Sequence, residues 1–202
     1  MASSTRVQTE NWLKTIEAKG RILDIGGAEL PIKKRLKSFN PTEYKILDLE
    51  TPHEDNAPVD IVFDLNYEGE DEMDFGFSHC HYEHYNIAFA IEVYEHCWNP
   101  VRALQNTNWF LKEGGLLYAT FPWVYPHHNP PEQDYLRYTK WGCEKILEET
   151  GFEILEMENR HSTKGSLLKY YSDEQMRPTK KADEVLGWLH ESTAWMVKAK
   201  KL

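Results

Sequence analysis

Cysteine is scarce in this 202-residue sequence, and its three copies, Cys80, Cys97 and Cys143, are widely spaced. That number and spacing exclude a disulfide framework and fit a reducing compartment. Long apolar runs are missing too, since nothing approaches the roughly 20 consecutive residues that cross a bilayer as a helix. The opening MASSTRVQTENW has no apolar centre of the secretory kind, so a cytoplasmic protein without a membrane span is expected. Positive charge is in deficit. The formal net charge of −10 repels a phosphate backbone, and no basic arm or RNA-binding signature is present, so nucleic acid is not an expected partner. The lysine clusters Lys33-Lys34-Arg35-Lys37 and Lys198 to Lys201 read as a solvated face or a frayed end.

What remains is an ordinary globular composition, 41% hydrophobic and 28% charged, in a length that suits one α/β domain. Short apolar runs at 21–26, 44–49, 59–65 and 85–93 read as buried parallel strands. Between the first two, residues 30–39 place Leu30, Ile32, Leu36 and Phe39 among lysines, which predicts a short crossover helix. Residues 99–111 read as a helix stopped by Gly114-Gly115 before the strand LLYATF. The run KWGCEKILEE reads as another helix, ended by Gly151 before a strand from Phe152 to about Asn159, and AWMVKAKK at 194–201 as the last strand. Alternating strands and helices predict a doubly wound α/β sheet. Two stretches, 68–86 and 161–193, interrupt the pattern as inserted or substrate-covering segments, the second with a helix over 182–190.

In an open parallel sheet ligands collect beyond the carboxyl ends of the strands. Acids recur there. The first strand runs into Asp24-Ile25-Gly26-Gly27-Ala28, the second ends at Asp48-Leu49, the third at Asp64-Leu65 and the fourth at Glu92-Val93-Tyr94-Glu95-His96. A glycine pair allows a turn without bulk, and carboxylates accept hydrogen bonds from hydroxyl and amino groups.

In order and spacing these segments resemble the motifs of class I S-adenosylmethionine-dependent methyltransferases. The likeness continues through Trp98-Asn99-Pro100, Leu111-Lys112-Glu113-Gly114-Gly115 and Thr150-Gly151-Phe152, covering about residues 20–160. It implies a mostly parallel, seven-stranded Rossmann-like sheet with helices on both faces and an antiparallel last strand. It also implies S-adenosyl-L-methionine as cofactor and S-adenosyl-L-homocysteine as product. By resemblance Gly26, Gly27 and Ala28 form the cofactor turn, Asp48 and Leu49 meet the ribose, Asp64 and Leu65 the adenine, and Asp24 and Glu92 complete the site. Where many members have further glycines this chain has Ala28 and Leu30.

The loop Phe121-Pro122-Trp123-Val124-Tyr125-Pro126-His127-His128, followed by Asp134-Tyr135-Leu136-Arg137-Tyr138-Thr139, resembles a subgroup associated with polysaccharide and glycan biosynthesis. The resemblance implies O-methylation of a sugar hydroxyl, for example on rhamnose or another deoxyhexose. Aromatic faces stack on sugar rings, and Glu95, Tyr125, Asp134, Arg137 and Tyr138 are candidate acceptor contacts. His128 is the candidate general base, with His127 and His96 behind it. The cluster His79, Cys80, His81, Glu83, His84 is too crowded for a structural zinc site, so no metal is expected and the segment reads as lining the acceptor cleft. A homodimer or a larger glycan-assembly polypeptide would fit the same reading. So would methylation of a small metabolite or protein side chain, or a non-catalytic cofactor-binding domain. A nicotinamide dehydrogenase fits less well, lacking a third glycine for the pyrophosphate and a Tyr-x-x-x-Lys pair.

Overall fold

The structure is a computed structural model that describes residues 4–52, 58–69, 79–125, 131–161 and 192–202. Seven strands form one sheet: β1 (Glu17–Ile25), β2 (Ser38–Asp48), β3 (Ile61–Val62), β4 (Tyr85–Ala90), β5 (Leu111–Pro122), β6 (Phe152–His161) and β7 (Ser192–Lys201), in the order β3-β2-β1-β4-β5-β7-β6. β1 pairs in parallel with β2 and β4, β2 with β3, and β4 with β5, whereas β7 runs antiparallel to both β5 and β6. The expected mixed sheet with its antiparallel last strand is present.

Strand alternation divides the apolar residues between two faces. On one, Leu23, Ile25, Ala88, Leu117 and Val197 meet Ala103, Leu104 and Phe110 of α2 (Pro100–Phe110) and Cys143 and Leu147 of α3 (Lys140–Glu149). On the other, Ile22, Phe89, Tyr118 and Met196 meet Trp12 and Leu13 of α1 (Ser4–Leu13), together with Ile16 and Ile32. Each fully buried valine, leucine, isoleucine or phenylalanine among them contributes about 1.5–3 kcal/mol of transfer free energy. The helix ends follow from local chemistry. Asn99 accepts the Arg102 N–H at 3.2 Å with Pro100 at the first helical position, and Thr139 accepts the Gly142 N–H at 3.0 Å. Gly151, at φ +80°, lets the chain leave α3 and enter β6.

Several boundaries differ from expectation. Residues 30–39 do not form a helix: a single 3-10 turn, Ile32–Lys34, precedes β2, which already begins at Ser38. Pro31 sits in an extended conformation, and only Ile32 of the apolar set is fully buried, so no helical face is made. The third strand is only Ile61–Val62, because the backbone turns at Asp64, whose main-chain oxygen accepts the Tyr67 N–H. The fourth stops at Ala90, ahead of Glu92 at φ +58° and a 3-10 turn at Tyr94–His96. Lys198–Lys201 is no frayed end. It lies in β7, and Lys201 is buried with Nζ donating to the Asn108 and Leu111 carbonyls at 3.0 and 2.9 Å. α1 was not anticipated. The expected helix at 182–190 lies outside the described residues, as do 70–78 of the acidic segment.

Candidate functional site

A cleft of about 1160 Å³ opens beyond the carboxyl ends of β1, β2 and β4, with α1 and the end of β6 along one side. Asp24, Gly26, Asp48, Leu49, Asp64, Leu65, Glu92, His96 and Tyr125 line it, so the structure brings these expected residues together. Its position is the one that a sheet of this winding dictates.

The floor is built by the glycine pair. Gly26 extends the ladder, donating its N–H to the Leu47 carbonyl at 2.8 Å, and at φ +69° turns the chain away from the sheet. A Cβ there would lie 2.7 Å from Cγ2 of Val93. A Cβ on Gly27 would lie 2.5 Å from Cγ of Asp24, so both positions need glycine. Asp24 itself is buried, its Oδ2 accepting the Ile32 N–H at 2.8 Å and the Tyr44 hydroxyl at 2.5 Å. Burial pushes its carboxyl up to about 6, against the opposing effect of these hydrogen bonds. Asp24 thus ties the turn down from beneath. Ala28, in place of a family glycine, is fully buried behind the wall, while Leu30 reaches the cleft.

Asp48 is held ready to accept. Its Oδ2 takes the Ala28 N–H at 3.1 Å and its Oδ1 the Leu49 N–H at 2.9 Å, which orients both oxygens and leaves each with a further lone-pair direction. Asp64 is exposed, with Oδ1 taking both the main-chain and side-chain N–H of Asn66 at 2.8 and 2.9 Å. Leu65 is buried, and its carbonyl accepts Nδ2 of Asn106 at 2.8 Å.

On the opposite wall the backbone of Glu92 is held in the left-handed region by Thr120. The Glu92 N–H donates to Oγ1 of Thr120 at 2.7 Å, and that hydroxyl returns a bond to Oε1 of Glu92 at 2.9 Å. Arg160, at the end of β6, donates from Nη1 to Oε1 of Glu92 at 3.0 Å and to Oγ1 of Thr9 at 3.1 Å. Its guanidinium carbon stands 4.9 Å from the centre of the Tyr125 ring. Gln8 fixes α1 to the same strand end, accepting the His161 N–H at 2.9 Å and donating to the His161 carbonyl at 2.7 Å. Arg160 and α1 escaped the sequence reading. The strand-end rule, applied to β6 as to the first four strands, would have singled out Arg160.

His96 donates from Nδ1 to the carbonyl of Gln133 at 3.0 Å. Tyr135 and Trp98, both about half exposed at 50% and 55%, also line the cleft. Their neighbours in the loop brace it from below. Arg137 grips Asp134 through Nη1 and Nη2 at 2.5 and 2.6 Å and reaches the Tyr125 carbonyl from Nε at 3.3 Å. Tyr138 is buried, with its hydroxyl on the Tyr94 carbonyl at 2.6 Å, and Glu95 is fully buried. His127 and His128 lie outside the described residues.

The histidine cluster is elsewhere. His81, Glu83 and His84 precede Tyr85 at the amino end of β4, ~20 Å of strand from the cleft at six residues of 3.3 Å. His84 binds Glu43 through Nε2 at 2.6 Å, and Tyr85 meets Nδ1 of His81 at 3.0 Å. The expectation that this part of the segment lines the acceptor cleft is therefore corrected.

The strand order, the antiparallel β7 and a cleft beyond the first, second and fourth strands define the Rossmann-like methyltransferase fold. Among solved structures, a candidate methyltransferase of Bacillus halodurans C-125 is similar at a TM-score of 0.61 and 15% identity, over 96% of this chain and 98% of that one. An S-adenosylmethionine-dependent methyltransferase of Mesorhizobium loti is similar at 0.55 and 13% identity, over 98% of each chain. The [4+2]-cyclase SpnF is similar at 0.58 and 15% identity, over 99% of this chain and 83% of that one. No protein-family model and no curated protein matches the sequence. Likeness at these identities speaks for the fold, and function has to be argued from the cleft.

Proposed function

We propose that this chain is an S-adenosyl-L-methionine-dependent methyltransferase, a single domain that methylates a sugar hydroxyl. One observation carries the cofactor half: the glycine turn, Asp48 and Asp64 line the same cleft, with the Asp48 oxygens oriented by backbone N–H groups. These residues fit the cofactor. Gly26 lines the cleft without a side chain and Gly27 lets the turn close over Asp24, Asp48 would accept from ribose hydroxyls, and Asp64 with Leu65 would border the adenine. When bound, S-adenosyl-L-methionine supplies a sulfonium-activated methyl group.

The acceptor half lies toward His96, Tyr125 and Tyr135. Because a carbonyl can only accept, the bond to Gln133 places a proton on Nδ1 of His96, and the neutral ring in that tautomer has its lone pair on Nε2. Nε2 takes the proton of the acceptor hydroxyl as its oxygen becomes the nucleophile. His127 and His128, which follow β5 in the sequence, are further candidates for the same task. Tyr135 and Trp98 offer faces on which a sugar ring stacks. Alignment of the hydroxyl supplies most of the acceleration, since the methyl donor is already activated.

Labelled methyl transfer to a panel of sugars, glycan fragments, small metabolites and proteins tests this reading. Transfer to a sugar hydroxyl is expected. Transfer only to a nitrogen, a carbon or a protein side chain would overturn the acceptor assignment, and no transfer to anything would overturn the enzyme.

A further inference from the structure

Arg160 carries more than the cofactor reading uses. Its side chain is buried at 2% exposure yet lines the cleft. Nη1 is spent on Glu92 and Thr9, whereas Nε and Nη2 have no hydrogen-bond partner among the described residues. Unmade hydrogen bonds of a buried cation are costly. They therefore call for an explanation. The two orphan N–H groups belong to one edge of the guanidinium, the side-on fork, and that edge faces away from Glu92. The Tyr125 ring, 4.9 Å off, backs the guanidinium plane and limits its rotation. Parallel N–H donors at this spacing match two oxygens of a carboxylate or phosphate, a geometry that lysine cannot reproduce.

The guanidinium stands against Glu92, Thr9 and Tyr125, and Tyr125 belongs to the wall read above as the acceptor's. Arg160 comes from β6, at the opposite edge of the sheet from β2, which carries Asp48, and β3, which Asp64 follows. The ion pair to Glu92 sets the guanidinium just past the end of β4, whereas Asp48 and Asp64 belong to the β2–β3 side of the sheet. We infer that Arg160 binds an oxyanion of the acceptor, a carboxylate or phosphate carried on the molecule to be methylated. This rests on the methyltransferase reading for the word acceptor, but the oxyanion site itself does not. An acidic sugar or a sugar phosphate meets both descriptions.

The test uses the full chain saturated with S-adenosyl-L-homocysteine, with inorganic phosphate and acetate as probes. The Arg160 Nε–H resonance, followed by NMR, is expected to shift on addition of either anion in the parent protein. In Arg160→Lys, which keeps the charge beside Glu92 but loses the fork, anion affinity is expected to fall about tenfold or more, with S-adenosyl-L-homocysteine affinity unchanged. An unmoved Nε–H resonance, or equal anion binding in parent and variant, would overturn the oxyanion site, and the NMR arm needs no variant to fold. Weakened S-adenosyl-L-homocysteine binding in the variant, without the same change for 5′-methylthioadenosine, would assign the fork to the cofactor's carboxylate and overturn the acceptor. Failure of the parent to bind S-adenosyl-L-homocysteine would sink the methyltransferase reading. The phosphate and acetate titrations, repeated on the free protein, would then decide the oxyanion site separately.

Discussion

His96 donates from Nδ1 to the main-chain oxygen of Gln133 over 3.0 Å, which fixes the tautomer of a ring on the cleft wall. Glutamine at this position can still donate one hydrogen bond but cannot take up a proton. His96→Gln is therefore expected to lower turnover with the active acceptor by about 10²–10⁴-fold, the usual worth of a positioned general base. Cofactor affinity should not change. Equal turnover in variant and parent, measured with labelled cofactor, would remove His96 from the chemistry and direct attention to His127 and His128.

Gly27→Ala tests the floor of the site. The added Cβ would lie 2.5 Å from Cγ and 2.6 Å from Oδ2 of Asp24, a carboxylate that cannot step aside without leaving Ile32 and Tyr44. A loss of about 1–3 kcal/mol in unfolding free energy is expected, the range for overpacking a tight contact. Urea unfolding with an unchanged midpoint would show that the turn is looser than its geometry implies.

Asp24 also predicts a pH dependence. Its carboxyl is raised from 3.8 to about 6, chiefly by burial. The native state thus holds the proton more tightly than the unfolded chain, so this group's contribution is fully present below about pH 4 and is lost as the pH rises through about 6. Asparagine can keep both hydrogen bonds without the charge. The stability of Asp24→Asn relative to the parent should accordingly rise from pH 4 to pH 6, roughly, and level off above. A difference independent of pH in urea unfolding would contradict this.

The Arg137–Asp134 pair predicts a separation of stability from binding. The Asp134 side chain is fully buried and gripped at 2.5 and 2.6 Å, so Arg137→Met leaves that carboxylate without this cation. Removing one partner of a buried pair costs about 3–5 kcal/mol. The unfolding midpoint should fall, with S-adenosyl-L-homocysteine affinity retained because neither residue lines the cleft. The reverse pattern would place Arg137 at the ligand instead.

The sheet and its acidic edge could be read from the sequence because each depends on local signals. Buried parallel strands are short apolar runs, and a ligand-binding edge collects acids and glycines at strand ends, as at Gly26, Asp48 and Asp64. The far wall was opaque for a physical reason. Among its described side chains α1 buries only Thr9, Trp12 and Leu13, and it is fixed by Gln8 to His161, 153 residues further along the chain. Such long-range contacts leave no local trace. Residue type points Asp134 and Arg137 toward an acceptor, but three residues apart they satisfy each other, while Tyr135 between them reaches the cleft. Residue type alone does not say which way a loop side chain turns. Ile32, Leu36 and Phe39 have helical spacing, but an extended Pro31 and a single fully buried residue left no face to pack.

Calorimetric titration of the purified chain with S-adenosyl-L-homocysteine, beside Asp48→Ala, tests the central claim most directly. Saturable binding in the parent is expected, with affinity reduced at least tenfold or so in the variant, since a hydrogen bond to a charged group contributes about 1.5–3 kcal/mol. No heat of binding in the parent, or equal affinity in the two proteins, would contradict the assignment of this cleft to the cofactor.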